Sequence, residues 1–216
     1  RSVSVKGAVQ YRMMLDDDPM IAIEEKAQDV DRLYRHFRQQ QTELGGEVSE
    51  ADKQALRERL DALDEELDRY LAWEYGIDVD RPMDLALWRK SHQPFHWFVE
   101  FYGTMRHGGF DVIIGNPPWK EYSTVKKTYT IRGYKTEECG NLYAICTERA
   151  LDLRHEQGWF SFIVQLPIIS SSRMKAVRGV MRRRSRCLVI APFDDRPGKL
   201  FSGLQHCRST IFISQG

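Results

Sequence analysis

Apolar residues recur at spacings of three and four along the first part of the chain, from Ile23 through Ala27, Val30 and Tyr34 to Phe37. That rhythm lines one face of a helix. Gly45-Gly46 interrupts it, and Ser49, three residues before Asp52, reads as a capping box opening a second helix. Leu56, Leu60, Leu63, Leu67 and Tyr70 then repeat the same spacing among Glu, Asp and Arg. Two such helices joined by a short break predict an antiparallel pair packed face to face. A coiled-coil dimerisation arm is the alternative, although the repeat is short for one. From Gly76 to Pro94 the pattern loosens into expected turns, punctuated by Pro82 and Pro94.

The character then changes. Phe110-Asp111-Val112-Ile113-Ile114 is a short apolar run between Gly108-Gly109 and Gly115, which predicts a buried parallel strand. Residues 141–154 follow a helical pattern through Leu142, Ile145, Ala150 and Leu153, with Gly158 as its expected end. Trp159 to Val164 is the next predicted strand, 173–184 a basic helix, and Cys187–Ile190 and Ser209–Ile213 two further strands. Strands alternating with helices predict an α/β sheet. The expected division is a helical region over 1–91 and the α/β part over 92–216.

Composition narrows the class only a little. The hydrophobic fraction of 42% suffices for a core, and a net charge of +1 says nothing of a polyanionic partner unless the positive charge is clustered. Cys139, Cys146, Cys187 and Cys207 form no CxxC pair and lie in no familiar zinc spacing, so reduced thiols in a cytoplasmic protein, with no metal, are expected. No apolar run is long enough for a transmembrane helix, and the first residues do not read as a signal peptide. The opening Arg1 suggests a piece excised from something longer.

The segment that carries chemistry is Asn116-Pro117-Pro118-Trp119, directly after the first predicted strand. Ligands of open α/β sheets bind beyond the carboxyl ends of strands. An exocyclic adenine amine is a poor nucleophile because its lone pair is delocalised into the ring. Two acceptors aimed at its N–H groups localise that lone pair. The Asn116 side-chain carbonyl can be one and the Pro117 backbone carbonyl the other, held stiffly by prolines that fix φ. Trp119 offers a flat face on which an extruded base can stack. The bland reading is a strand-ending Asn-Pro turn.

This tetrapeptide resembles the catalytic motif of amino-group DNA methyltransferases in its adenine-N6 form. With residues 96–101, the run 109–119, Asn141-Leu142-Tyr143, 158–164 and 208–213, the chain from about His92 onward is similar to large type II restriction–modification enzymes. The resemblance implies half of a Rossmann-like, S-adenosylmethionine-dependent sheet of four strands, the last antiparallel, preceded by a helical hairpin. It implies that Asn116 and Pro117 polarise the amine, that Trp119 stacks, and that Pro118 borders the donor's adenosine. Phe201 would contact the flipped base opposite Trp119, or serve as a core plug. Tyr122, Asn141 and Tyr143 either line the cleft or are structural. The implied partners are double-stranded DNA and the rest of a parent polypeptide, with a donor-binding half and a target recognition domain.

The departure from that pattern is a missing Gly-x-Gly loop for the donor, which occurs nowhere in the chain. The donor-binding half is therefore expected before Arg1, and this chain alone is expected to be inactive. Lys126 and Lys127, and the cluster Arg182, Arg183, Arg184 and Arg186 with Arg173, Lys175 and Arg178, are candidate phosphate contacts, against the reading of a solvated helix face. Two other readings stand: a non-catalytic DNA- or partner-binding module, and a methyltransferase acting on RNA bases or a protein amide.

Overall fold

The computed structural model describes residues 19–43, 50–194, 200 and 208–216. The chain divides into two compact units, Arg1–Gly103 and Thr104–Gly216. The expected boundary after residue 91 falls inside the first unit, at the end of its third helix.

The first unit is helical. Helices α1 (Pro19–Glu43) and α2 (Glu50–Glu74) pack through Ile23 and Val30 against Leu63, with Ala27, Tyr34, Leu56, Leu60 and Leu67 around them. Lys26 reaches Glu66 across the pair at 2.6 Å. These are the faces that the spacing of apolar residues predicts. The proposed break and capping residue, Gly45-Gly46 and Ser49, lie outside the described residues.

The expected turns after Gly76 contain a helix, α3 (Pro82–His92). Pro82 sits at its first turn, where no backbone N–H is needed, and Arg89, Lys90 and His92 occupy the last turn. Pro82 thus starts a helix rather than breaking one. Leu85 and Trp88 bury against Ala72 of α2. Buried Asp68 joins the region, accepting from His96 Nε2 at 2.8 Å and pairing with Arg89 Nε at 2.6 Å. Two short helices follow, α4 (Trp97–Glu100) and α5 (Tyr102–Arg106).

The second unit is α/β. Strand β1 (Phe110–Gly115) leads through a short helix, α6 (Tyr122–Val125), to α7 (Leu142–Leu153) and β2 (Arg154–Gln165). Then come α8 (Pro167–Ser170), α9 (Lys175–Arg184), β3 (Cys187–Phe193) and β4 (Ser209–Gln215). The four strands form one mixed sheet in the order β1-β2-β4-β3. β1 and β2 are parallel, and β4 runs antiparallel to both β2 and β3. The last strand is therefore the reversed one, as expected.

One face of the sheet is well covered. Phe160, Phe162 and Val164 of β2 and Phe212 of β4 pack under Tyr143, Ala144 and Leu151 of α7 and Val177, Val180 and Met181 of α9. The other face carries Val112, Ile114, Trp159, Val189 and Ile213, all exposed, with Ile114 at 80%. This corrects the expectation of a buried β1: only Ile113 reaches the core. An apolar strand of this length is ordinarily covered on both faces. Here one face is open and, among the described residues, β1 pairs along one edge only.

Gly158 does not end a helix but lies inside β2, which starts directly at the end of α7. A Cβ there would stand 2.8 Å from the Phe110 carbonyl oxygen and 2.9 Å from that of Asp111. The glycine permits close approach of β1 where its register shifts between Phe110 and Val112. No described helix is long and apolar enough to cross a membrane.

Candidate active site

β1 stops pairing at Gly115, opposite Phe162. Proline has no N–H to extend a ladder, so Pro117 and Pro118 turn the chain out of the sheet. Trp119 then folds back: its indole N–H donates to the Ile163 carbonyl at 3.3 Å, one residue beyond the last β1 pair on β2. The ring is partly buried and packs against the covered core, so it is held rather than free to swing. Pro117 is buried and Pro118 exposed. Asn116 is exposed, and its side chain has no hydrogen-bond partner among the described residues. The segment thus presents an uncommitted amide at the carboxyl end of a parallel strand, beside an anchored indole.

Behind Trp119 the chain is fastened through Glu121, which sequence reasoning missed, together with Asn141, for which it left a structural role open, and Arg173, which it grouped with the phosphate candidates. Glu121 forms an isolated antiparallel bridge with Asn141. Its carboxylate accepts from Asn141 Nδ2 at 3.2 Å and pairs with Arg173. Asn141 Oδ1 in turn caps α7, accepting from the Tyr143 N–H at 3.3 Å. The Lys120 backbone carbonyl accepts from the Leu142 N–H at 2.9 Å, and the Tyr122 N–H donates to the Gly140 carbonyl at 2.8 Å. The hydrogen bond from Arg173 holds the Glu121 carboxyl below its ordinary value.

A group depressed in the folded state stabilises above its unfolded value and ceases to do so as pH falls through the folded one. The thermal midpoint of Glu121→Gln is accordingly expected below wild type at neutral pH, with the two converging in acid. Scanning calorimetry across pH checks this. A gap that persists unchanged at acid pH removes the ionic tether.

The other candidates separate clearly. Tyr122, Asn141 and Tyr143 take packing and hydrogen-bonding roles. The Tyr143 hydroxyl is buried, meets Met174 Sδ at 3.6 Å, and is pushed up to about 12 by that burial. Lys126 and Lys127 are exposed just past α6, on the Asn116 side of the sheet. The Arg182–Arg184 run is elsewhere. It ends α9 and feeds the start of β3, which runs parallel to β1, so it lies at the opposite end of the sheet from Asn116. Arg184 pairs there with Asp152 and donates to the Leu151 carbonyl.

Arg178 also turns inward, donating to the carbonyls of Ile168 and Ser171. Arg182, Arg183 and Lys175 are exposed. Phe201 lies outside the described residues. A groove of about 590 Å³ in the first unit is lined by Glu65, Arg69, Asp80 and Arg89 among others, with no hydroxyl, thiol or histidine among its lining residues.

The Asn-Pro-Pro-aromatic turn at the carboxyl end of a parallel strand of this α/β sheet is the candidate active site. Residues 20–198 match the Eco57I restriction-modification methylase family, and the chain belongs to that family. It is also 26% identical over 113 residues to a protein of Methanocaldococcus jannaschii that bears the name of a type II restriction enzyme and methyltransferase. The matched stretch is 51% of this chain and 9% of that relative, so the chain spans a small part of its length.

Proposed function

We propose that this chain supplies the acceptor side of a DNA adenine-N6 methyltransferase acting within a restriction–modification system. The observation that carries the reading is the placement of Asn116-Pro117-Pro118-Trp119 at the free carboxyl end of β1 in a chain of the restriction-modification methylase family. A flipped adenine laid on Trp119 would direct its amine at the Asn116 side-chain carbonyl and the Pro117 backbone carbonyl. Both accept from N–H, which concentrates the lone pair on nitrogen. Stacking of about 1–3 kcal/mol offsets part of the cost of taking the base out of the duplex.

The donor in this reading is S-adenosylmethionine, which supplies the methyl group. The residues present do not fit a complete site for it. There is no Gly-x-Gly in the 216 residues, and near the Asn116 turn the resemblance gives the donor only Pro118, which is exposed. We place the donor loop in polypeptide outside these residues. The sheet order β1-β2-β4-β3 suits half of a Rossmann-like sheet, and the open edge of β1 with exposed Val112 and Ile114 offers a surface against which the other half can pack.

The test is transfer of labelled methyl to duplex DNA by the native polypeptide that carries these residues, followed by nucleoside analysis. N6-methyladenine is the expected product. Label in cytosine, in RNA or in protein reassigns the acceptor. DNA binding with no transfer favours the non-catalytic module.

A further inference from the structure

Between Trp119 and the start of α7 the chain makes an excursion, residues 120–135, whose two sides differ sharply in chemistry. Its apolar residues face inward: Tyr122 is buried, and Val125, Ile131 and Tyr134 pack with it against Leu142 and Ile145 of α7. The Tyr122 hydroxyl closes the loop, accepting from the Ile131 N–H at 2.6 Å and donating to the Ile131 carbonyl at 3.3 Å. Thr128 and Tyr129 donate backbone N–H groups to the Val125 carbonyl, and the Tyr134 N–H is taken by Glu137 Oε1 at 2.9 Å. The excursion is thus a folded loop with its own small core, fastened at its base by the Glu121–Asn141 bridge.

Its outer side is basic. Lys120, Lys126, Lys127, Arg132 and Lys135 are all exposed. Lys120, Lys126, Lys127 and Lys135 make no salt bridge among the described residues, and the one acid of the segment, Glu121, is already paired with Arg173. The four lysines, without an acid to pair with among the described residues, repel one another on one ordered loop unless a polyanion neutralises them. The loop leaves the same end of β1 as Asn116, whereas the Arg182–Arg184 run lies at the other end of the sheet.

We propose that residues 120–135 form the phosphate-binding surface of the enzyme, gripping the duplex backbone beside the target base through Lys120, Lys126, Lys127, Arg132 and Lys135. The inference rests on the reading of duplex DNA as substrate. It assigns the electrostatic footprint to this loop and away from the arginine run of α9. The Tyr122–Ile131 clasp orders the backbone that carries Lys126 and Lys127, so that part of the loop need not be ordered when DNA arrives.

The test is anisotropy of a labelled duplex titrated with the native polypeptide over a series of potassium chloride concentrations. Each lost phosphate contact should reduce the slope of log K against log salt by about 0.9. The variant Lys126→Gln/Lys127→Gln/Arg132→Gln/Lys135→Gln should therefore be shallower by about 3 to 4. Arg182→Gln/Arg183→Gln/Arg186→Gln should keep the wild-type slope.

An unchanged slope in the loop variant, with wild type binding and methylating DNA, overturns the surface alone. So does a loss of slope confined to the arginine variant. Wild-type protein that binds no duplex at low salt, or prefers structured RNA, removes the DNA reading and this surface with it. All the substituted residues are exposed, and an unaltered far-ultraviolet dichroism spectrum separates lost contacts from lost fold.

Discussion

Replacing Asn116 by alanine should lower methyl transfer by about 100- to 1,000-fold, the loss that accompanies removal of one preorganised polar group from the charge that develops in a transition state. The side chain is exposed and has no hydrogen-bond partner among the described residues, so its truncation leaves nothing inside the protein unsatisfied. Stability should therefore stay within about 0.5 kcal/mol of wild type. On the proposed reading DNA is held mainly through phosphate contacts, so duplex affinity should also be nearly unchanged. The loss should appear in the rate of a single turnover, with the binding constant for duplex preserved. Asn116→Asp, which keeps an acceptor at the same reach, should retain more activity than Asn116→Ala. An alanine variant that transfers methyl at the wild-type rate removes Asn116 from the chemistry. One that loses rate and DNA affinity together makes it a binding residue instead.

The Asn116 segment could be found in the sequence because residue type carries its meaning. Few structural needs call for an amide, two prolines and an indole after an apolar run, and local chain direction places them at a strand end. The groups that steady the segment were hidden for the opposite reason. Glu121 and Arg173 are 52 residues apart, and nothing local distinguishes that glutamate from a surface acid. The same limit applies to the basic clusters. As sequence, the arginine run is the denser positive patch, but charge density does not say at which end of a sheet a helix finishes. That depends on β3 running parallel to β1, a relation set by the reversed β4 between β3 and β2. Lys126 and Lys127, by contrast, inherit their place from proximity to Trp119.

Elements followed the same rule. The periodic faces of α1 and α2 are repeated signals, and the structure buries Val30 and Leu63 on them. On α7 it buries the expected Leu142, Ile145, Ala150 and Leu153 and, beyond that face, Tyr143, Ala144 and Leu151. Helix α3 was concealed by Pro82, since a proline reads as punctuation until the turn after it is known to be helical. For β1, an apolar run predicts a strand but cannot say whether both faces have something to pack on. The exposure of Val112 and Ile114 is a fact about the rest of the sheet rather than about the strand.

The glycines around β1 carry the second large effect. Gly109 enters the strand with φ at +112°, a conformation close to exclusive to glycine. A Cβ built on it meets the Leu153 carbonyl oxygen, with Arg154 C and His155 N both at 3.0 Å. These are backbone atoms at the junction of α7 and β2, and no rotamer change can move them aside. Gly109→Ala therefore combines conformational strain with overpacking, each worth about 1–3 kcal/mol, for an expected loss of about 3 kcal/mol or more. Gly158→Ala meets the Phe110 and Asp111 carbonyls from the other side and should cost about 1–3 kcal/mol without the strain. Denaturant midpoints at constant slope measure both.

Because β1 leads directly into Asn116, displacement of the strand also moves the amide, so methyl transfer should fall in both variants while the chemistry of the turn is untouched. A Gly109→Ala protein as stable as wild type would mean that the α7–β2 junction yields freely. The turn at Asn116 would then owe its position to the Trp119 and Glu121 anchors rather than to β1.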